Sequence, residues 1–304
     1  MSTLQFGLVL RGGPQSAQEA RAAEALGFDS LWIGEHVVWR HSTPDSLMVL
    51  ASCAAVTTRI RLGTSILLLP LKHPILVAKA VATLDVLSGG RASLGIGIGG
   101  EYAKEFEAMG VPREERGPRA TESIRLMKRL WTERDVTFQG RFWQMSDVTT
   151  EPFPVQKPHP PVLVGGRRGS LKRTALVGDG WMPYMYTPEM WREDWAKIEE
   201  MAAAAGRDPA KIERTIYAFM TIAETYEKAA EYAAGALGNT YAQDFSKIVH
   251  RYPIIGTPEQ CLARMQQFRE AGATHFILRP AGPEHVTAPM PEIIAREIIP
   301  RLRR

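Results

Sequence analysis

Short apolar runs separated by longer amphipathic stretches repeat along the chain, beginning with LQFGLVL and the PQSAQEARAAEALG that follows it. A run of four to eight apolar residues bounded by turn formers reads as a buried strand. Apolar positions three and four apart read as one face of a helix. On this basis LQFGLVL, SLWIGEH, RLGTSILLLP, RASLGIGIGG, PVLVGG, GWMPYMY, RTIYAFMTIAE and THFILRP form eight predicted strands. Helical patterns follow each of them, including HPILVAKAVATLDVLSGG with its glycine stop and the segment in which Ala120, Ile124, Met127 and Trp131 share one face.

Strands that alternate with helices predict βα units around a parallel sheet. Eight in one series predict an α/β protein, a (β/α)8 TIM barrel occupying residues 1–304 as one domain, with insertions after strand four and around helix seven. The first insertion, ERDVTFQGRFWQMSDVTTEPFPVQKPHPP, alternates apolar and polar residues around Gly140 and predicts a hairpin. The competing architecture is a doubly wound sheet, because GIGIGG satisfies G-x-G-x-x-G at Gly95, Gly97 and Gly100. Three βα units precede that match, and the acidic residue expected about twenty positions later falls near Glu122, inside a predicted helix. The glycines instead suit an open strand mouth.

Composition narrows the function classes only slightly. The chain is 45% hydrophobic and 23% charged, the balance of a protein folded throughout. Its formal charge of +4 comes from interspersed residues rather than a basic stripe, which argues against nucleic acid as a partner. The longest apolar runs are far shorter than a membrane span, the start carries no basic leader, and Cys53 and Cys261 sit in apolar periodic segments. A soluble, cytoplasmic protein is expected.

Active sites of such barrels lie at the carboxyl ends of the strands. The residues expected to converge there are Glu35 and His36 on strand two, Thr64, Ser65 and Ile66 on strand three, Gly99, Gly100 and Glu101 on strand four, Gly165 and Gly166 on strand five, Tyr184 and Tyr186 on strand six, and Arg279 on strand eight. His36 is the best acid or base among them, since imidazole titrates near neutrality; the alternative is a structural hydrogen-bonding histidine. No His, Cys, Asp or Glu set has recurring metal-ligand spacing, and no G-x-S-x-G elbow is present. An organic cofactor is the better expectation. VLVGGRRGSLKRTALVG supports it, because Gly165, Gly166, Gly169 and Ser170 lead into a helix whose amino end suits phosphate. Arg167, Arg168, Lys172 and Arg173 add charge, although Lys172 and Arg173 could equally form a solvated helix face.

Taken together, ALGFDSLWIGEHVVW, RIRLGTSILLLPLKHPILVAKAVATLDVLSGGR, GIGIGGEYAKEFEAMGVPREERGPRATE, PFPVQKPHPPVLVGG and LVGDGWMP resemble the luciferase-like monooxygenase family of flavin and deazaflavin oxidoreductases. The match runs in order over residues 1 to about 185, with a weaker continuation in GTPEQCLARMQQFREAGATHFIL. The resemblance implies a (β/α)8 barrel binding coenzyme F-420 (8-hydroxy-5-deazaflavin) or FMN at the strand mouth, often as a homodimer. Through HVV after Glu35-His36 and the pairing of LSGGR with GDGW, the chain is most similar to the F-420-dependent branch. It further implies a non-prolyl cis peptide at Ser65–Ile66.

Carried to matching positions, His36 and Glu35 take the catalytic end of strand two, and Thr64, Ser65 and Ile66 support the coenzyme ring. Gly99, Gly100 and Glu101 border it, while Gly165, Gly166, Arg167 and Ser170 hold its phosphate end. Relatives of that branch frequently have Asp where this chain has Glu35, whose longer side chain changes its reach. Trp39, Arg40 and His41 follow the strand and are expected to meet a small organic substrate, with Arg40 alternatively a surface residue. The expected activity is hydride transfer between F-420 and that substrate, with an FMN-dependent monooxygenase as the alternative. A flavin-binding protein without turnover is the alternative from another class.

Overall fold

The computed structural model describes residues 3–304. Eight parallel strands close on themselves: β1 (Gln5–Val9), β2 (Ser30–Ile33), β3 (Arg61–Thr64), β4 (Ala92–Gly97), β5 (Val162–Gly165), β6 (Gly180–Met182), β7 (Glu213–Ile222) and β8 (His275–Pro280). Each pairs with its neighbour in chain order, and β8 returns to β1 through Gln5 opposite His275 and Leu8 opposite Leu278. This is the expected (β/α)8 barrel. Leu67–Leu68 resumes pairing with β4 after a break at Ser65–Ile66, where the peptide bond is cis.

The helices α1 (Ser16–Ala25), α2 (Ser46–Ala54), α3 (Pro74–Ser88), α4 (Arg116–Thr132), α5 (Leu171–Val177), α6 (Pro188–Ala204), α7 (Tyr226–Tyr241) and α8 (Pro258–Ala271) surround the sheet. A final helical run over 290–303 follows β8. Local chemistry explains their ends. The Asp45 carboxylate accepts from the Leu47 and Met48 amides at 3.0 and 3.1 Å, satisfying donors that α2 cannot satisfy itself. Thr257 and Gln260 form a reciprocal cap on α8, and Gly272, at φ 116°, ends it.

The insertion after α4 is the expected antiparallel hairpin, Val136–Gln139 with Gln144–Val148. The second insertion departs from expectation in one detail. After α7, Ile254–Gly256 adds a short parallel strand to β7, a segment that Pro253 and Gly256 disguise as a linker.

The GIGIGG glycines are explained by packing. A Cβ on Gly95 would lie 2.0 Å from the Thr64 carbonyl oxygen, and one on Gly97 would lie 2.4 Å from Ile66 Cδ1. Gly165 on the next strand is equally constrained, 2.7 Å from Ile66 Cγ2. The glycines of β4 and β5 therefore make room for the β3 bulge, as a close backbone approach requires.

At the opposite, amino-terminal end a polar network closes the barrel. Arg61 donates to both Glu213 carboxylate oxygens at 2.8 and 2.9 Å, and its Nε donates to Ser93. His275 Nδ1 lies 2.8 Å from Glu213, and its Nε2 lies 2.7 Å from the Ser30 hydroxyl, which accepts from Trp32 Nε1. Five strands are thereby joined through one carboxylate. Burial alone would raise the Glu213 pKa, but the Arg61 guanidinium and His275 outweigh it and hold the carboxyl well below the usual range.

A folded-state pKa below the unfolded one means that the stabilisation is complete above the unfolded value, roughly 4.3, and is lost as pH falls through the folded value. Glu213→Gln should therefore cost about 3 kcal/mol at neutral pH, because it leaves Arg61 without its charged partner. Urea denaturation of the two proteins should show a gap that is flat down to about pH 5 and narrows below about pH 4. A gap that widened in acid would contradict the assignment.

Candidate active site

The carboxyl ends of the strands enclose a cavity of about 520 Å³, within the range of small-molecule sites. His36, Trp39, Ser65, Ile66, Gly99, Glu101, Gly165, Gly166, Arg167 and Ser170 all line it. Thr64 and Gly100 do not. Thr64 is buried and donates its hydroxyl to the Gly95 carbonyl at 2.6 Å, locking β3 to β4. The Gly100 carbonyl accepts from Arg113 instead.

SLWIGEH does not remain a strand to its end. Pairing stops at Ile33 because Gly34–His36 turn across the β3 bulge, where the Glu35 amide donates to the Ile66 carbonyl at 3.3 Å. From there the two neighbouring side chains diverge. The Glu35 carboxylate is buried and accepts from the Ser46 amide at 3.0 Å and hydroxyl at 2.6 Å, while Lys72 Nζ lies 3.0 Å from its other oxygen. It is committed to the start of α2. Burial works against the Lys72 ammonium, but Glu35 and Asp45 hold its pKa above the usual value.

His36 is half-buried, stacked on Trp39 with ring centroids 3.8 Å apart. Its Nδ1 lies 3.2 Å from the carboxylate of Glu105, a buried residue of the short helix Ala103–Ala108. The other Glu105 oxygen accepts from the Val37 and Val38 amides at 2.7 and 3.2 Å, so the carboxylate also fixes the chain that follows His36. A carboxylate on Nδ1 selects the N–H there and leaves Nε2 as the nitrogen that can take or give a proton. No spacing rule connects Glu105 to His36, sixty-nine positions earlier. Its only sequence signal is a glutamate beside Phe106 in a brief amphipathic stretch.

The residues after the strand divide. Trp39 and His41 face the cavity, but Arg40 is exposed and lies over the Tyr102 ring at 5.6 Å, outside the lining. Tyr184 and Tyr186 also part. Tyr184 lines the cavity and donates to Glu101 at 3.4 Å, and burial together with the Glu101 charge pushes its pKa up to about 12. Tyr186 lies fully buried beneath α6, donating to Asp194 at 2.9 Å.

The glycine loop after β5 carries a further division. Lys172 is exposed, whereas Arg173 is buried, lines the cavity, and donates to the Thr121 hydroxyl and the Gly117 carbonyl, both at 3.0 Å. Burial lowers its pKa, a sign that its charge lacks compensation. The Ser170 hydroxyl donates to the Arg167 carbonyl at 2.7 Å and accepts from Trp181 Nε1 at 3.1 Å. Gly166 has φ 126°, which only glycine adopts freely. Arg167 also lines a second, adjoining cavity of about 750 Å³ that includes Arg251 and Tyr252.

The arrangement can bind a flat ring with an anionic arm. The Ser65 hydroxyl is buried at the bulge with no hydrogen-bond partner, the kind of orphan that a ligand satisfies. Among the described residues no group of His, Cys, Asp and Glu could hold a metal ion, and no helix is long and apolar enough to cross a membrane.

A family model described as luciferase-like monooxygenase matches residues 13–275. Among curated proteins, an F-420-dependent glucose-6-phosphate dehydrogenase of Kineococcus radiotolerans is 32% identical over 296 residues, covering 88% of this chain and 87% of that protein. The enzyme of the same description from Amycolatopsis mediterranei is 28% identical, covering 96% and 95%. Among solved structures, a monooxygenase from Streptomyces bottropensis superposes with a TM-score of 0.85 at 27% identity, covering 98% of this chain and 100% of that one. An F-420-dependent secondary alcohol dehydrogenase, solved with an F-420–acetone adduct, shares the fold with a TM-score of 0.87 at 22% identity, covering both chains fully.

The Glu35 geometry makes a separable prediction. Glu35→Gln keeps an acceptor for Ser46 but loses the charge facing Lys72, so the variant should be less stable by about 1–3 kcal/mol. Thermal unfolding measures that loss, and coenzyme titration should show affinity within about two-fold of wild type if the residue acts only through the loop, since no binding hydrogen bond is removed. Weakened binding at unchanged stability would return Glu35 to the chemistry.

Proposed function

This chain belongs to the luciferase-like monooxygenase family, and on that premise we propose that it is an F-420-dependent oxidoreductase that moves a hydride between the deazaflavin and a small organic substrate. The observation that carries the reading is the meeting, in one cavity, of the Ser65–Ile66 bulge, the Gly165–Ser170 loop and a histidine held by a buried carboxylate. Two F-420-dependent dehydrogenases among the curated relatives, both covered over most of their length, support the choice of coenzyme.

In this reading Ser65 and Ile66 support the ring, Gly99 and Glu101 border it, and Gly165, Gly166 and Ser170 cradle the phosphate through their backbone. Arg173 supplies the buried countercharge behind that loop. Arg167, together with Arg251 across the second cavity, suits the anionic oligoglutamate tail that distinguishes F-420 from FMN. When bound, the deazaflavin supplies the hydride acceptor or donor; the protein supplies orientation and proton handling. His36 takes the proton from a substrate hydroxyl as a hydride leaves its carbon, or returns it in the reverse direction. Glu105 is a positioning residue that sets the tautomer and orientation of the His36 ring. Glu35 anchors the loop from beneath, and Trp39 and His41 form the substrate wall. Arg40 contributes by holding Tyr102, and Thr64 and Gly100 by shaping the bulge and the strand end.

A homodimer forms part of the reading. Met48 on α2 and Leu76 and Leu87 on α3 are exposed, and the two leucines lie about three turns apart on one face of α3, where a second copy would cover them.

The test is turnover of F-420. Purified protein with oxidised F-420 should lose the coenzyme's absorbance on addition of a substrate from a panel that includes glucose 6-phosphate and secondary alcohols, or oxidise reduced F-420 with the matching carbonyl compounds. His36→Ala should retain coenzyme affinity and lose roughly 10²–10⁴-fold in kcat. Oxygen consumption with reduced FMN and none of these F-420 reactions would establish the monooxygenase alternative. Full activity in His36→Ala would remove the proposed proton route.

A further inference from the structure

Across the cavity from the bulge stands a cation that the coenzyme assignment does not use. Arg279, the penultimate residue of β8, is half-buried and lines both the mouth cavity and a neighbouring one of about 460 Å³. Its Nη1 donates to the Tyr217 hydroxyl at 3.4 Å, and its guanidinium lies over the Phe219 ring at 5.4 Å. Among the described residues no carboxylate lies within ion-pairing distance, and the phenols Tyr217 and Tyr241 are the groups beside it. Arg11, which lines the same two cavities, differs, since its guanidinium is taken by Glu19 and Glu284 at 3.2 and 3.1 Å.

A guanidinium has five donors in a planar fork and is always charged, so withdrawal from water without an anion is costly. The surrounding groups offer little compensation. The Tyr217 hydroxyl is a hydrogen-bond acceptor, the Phe219 ring gives a cation–π contact, and Tyr241 is kept in its neutral form because burial raises its pKa. Tyr184 and Glu101 are the next polar groups of this wall, and they bond to one another. The unpaired fork therefore faces a cavity whose polar lining from β7 and α7 is the phenols Tyr217 and Tyr241, which can donate to an acceptor, and Thr240, whose hydroxyl donates to the Ala236 carbonyl at 2.9 Å. Only β1 separates β8 from β2, so this wall adjoins the His36 side of the mouth.

We propose that Arg279, with Tyr217 and Tyr241, forms an oxyanion subsite, and that the physiological substrate carries a carboxylate or phosphate group which this subsite anchors while its reacting carbon faces His36. The subsite rests on the oxidoreductase reading only for the word substrate. Oxyanion binding itself can be measured without turnover.

The test uses benzoate and benzamide, which share shape and differ in charge, together with inorganic phosphate. Each is titrated by calorimetry into the full-length protein, alone and saturated with F-420 so that the glycine loop is filled. Benzoate should bind at least about ten-fold more tightly than benzamide, the discrimination given by a charge-assisted hydrogen-bonded pair. Arg279→Gln should abolish that preference and leave F-420 affinity unchanged, Arg279→Lys should keep part of it, and Tyr217→Phe should weaken it several-fold. Phosphate binding that depends on Arg279 in the F-420-saturated protein, with benzoate silent, identifies a phosphorylated substrate; the reverse identifies a carboxylic acid. Either supports the subsite. Equal binding of benzoate and benzamide to the wild type, with phosphate binding unaffected by Arg279→Gln or Arg279→Lys, overturns it. Failure of F-420 to bind while benzoate still discriminates refutes the coenzyme assignment and leaves the oxyanion subsite standing.

Discussion

The close packing of the β3 bulge against two strands that carry glycine where they meet it is the constraint on which the mouth depends. Ile66 occupies volume that any Cβ on Gly97 or Gly165 would invade, and the Thr64 carbonyl occupies the equivalent space at Gly95. Protein interiors have no slack to absorb such overlaps, so the three glycines and the bulge form one unit. Gly34 completes it from the other side, since a Cβ there would lie 2.8 Å from the Ser65 carbonyl oxygen. The bulge thereby projects between β2 and β4 and sets the floor on which Ser65 and Ile66 face the cavity.

Above that floor, buried carboxylates decide where the loops of the site rest. Glu35 and Glu105 receive backbone amides from different segments, Ser46 in one case and Val37 and Val38 in the other. Each fixes one end of the segment that carries His36 and Trp39. The amino-terminal end of the barrel is organised by a third carboxylate, Glu213, whose partners Arg61 and His275 lie away from the mouth and serve cohesion rather than chemistry. Barrels of this type separate stability at one end from function at the other, and here the division falls between one acidic residue and two.

Much of the architecture was legible because its cause is periodic. Eight apolar runs separated by helical patterns, with glycine stops such as Gly89 and Gly272, follow from burial and capping alone. What failed to show in the sequence depends on where chains cross. Ile254–Gly256 pairs with β7 although Pro253 and Gly256 mark a turn. SLWIGEH extends past its ladder because Gly34 must meet Ser65 rather than another strand. Adjacent residues could not be sorted into inside and outside once the strand ended, and so Arg40 lies outside the lining while Trp39 and His41 lie within it. Lys172 and Arg173 are likewise parted only by the way α5 packs, which leaves the first in solvent and turns the second to the cavity. Glu105 lay beyond reach for a different reason: its partner is distant in the chain, and only the folded mouth brings the carboxylate to His36.

Coenzyme choice is the central claim, and equilibrium titration tests it most directly. Fluorescence of F-420 and of FMN is followed as purified protein is added to each, with competition between them as a control. The account predicts saturable quenching of F-420 that FMN displaces only at large excess, because the Arg167 and Arg251 rim has no tail to meet in FMN. Saturable, tight binding of FMN with no response to F-420 would contradict it.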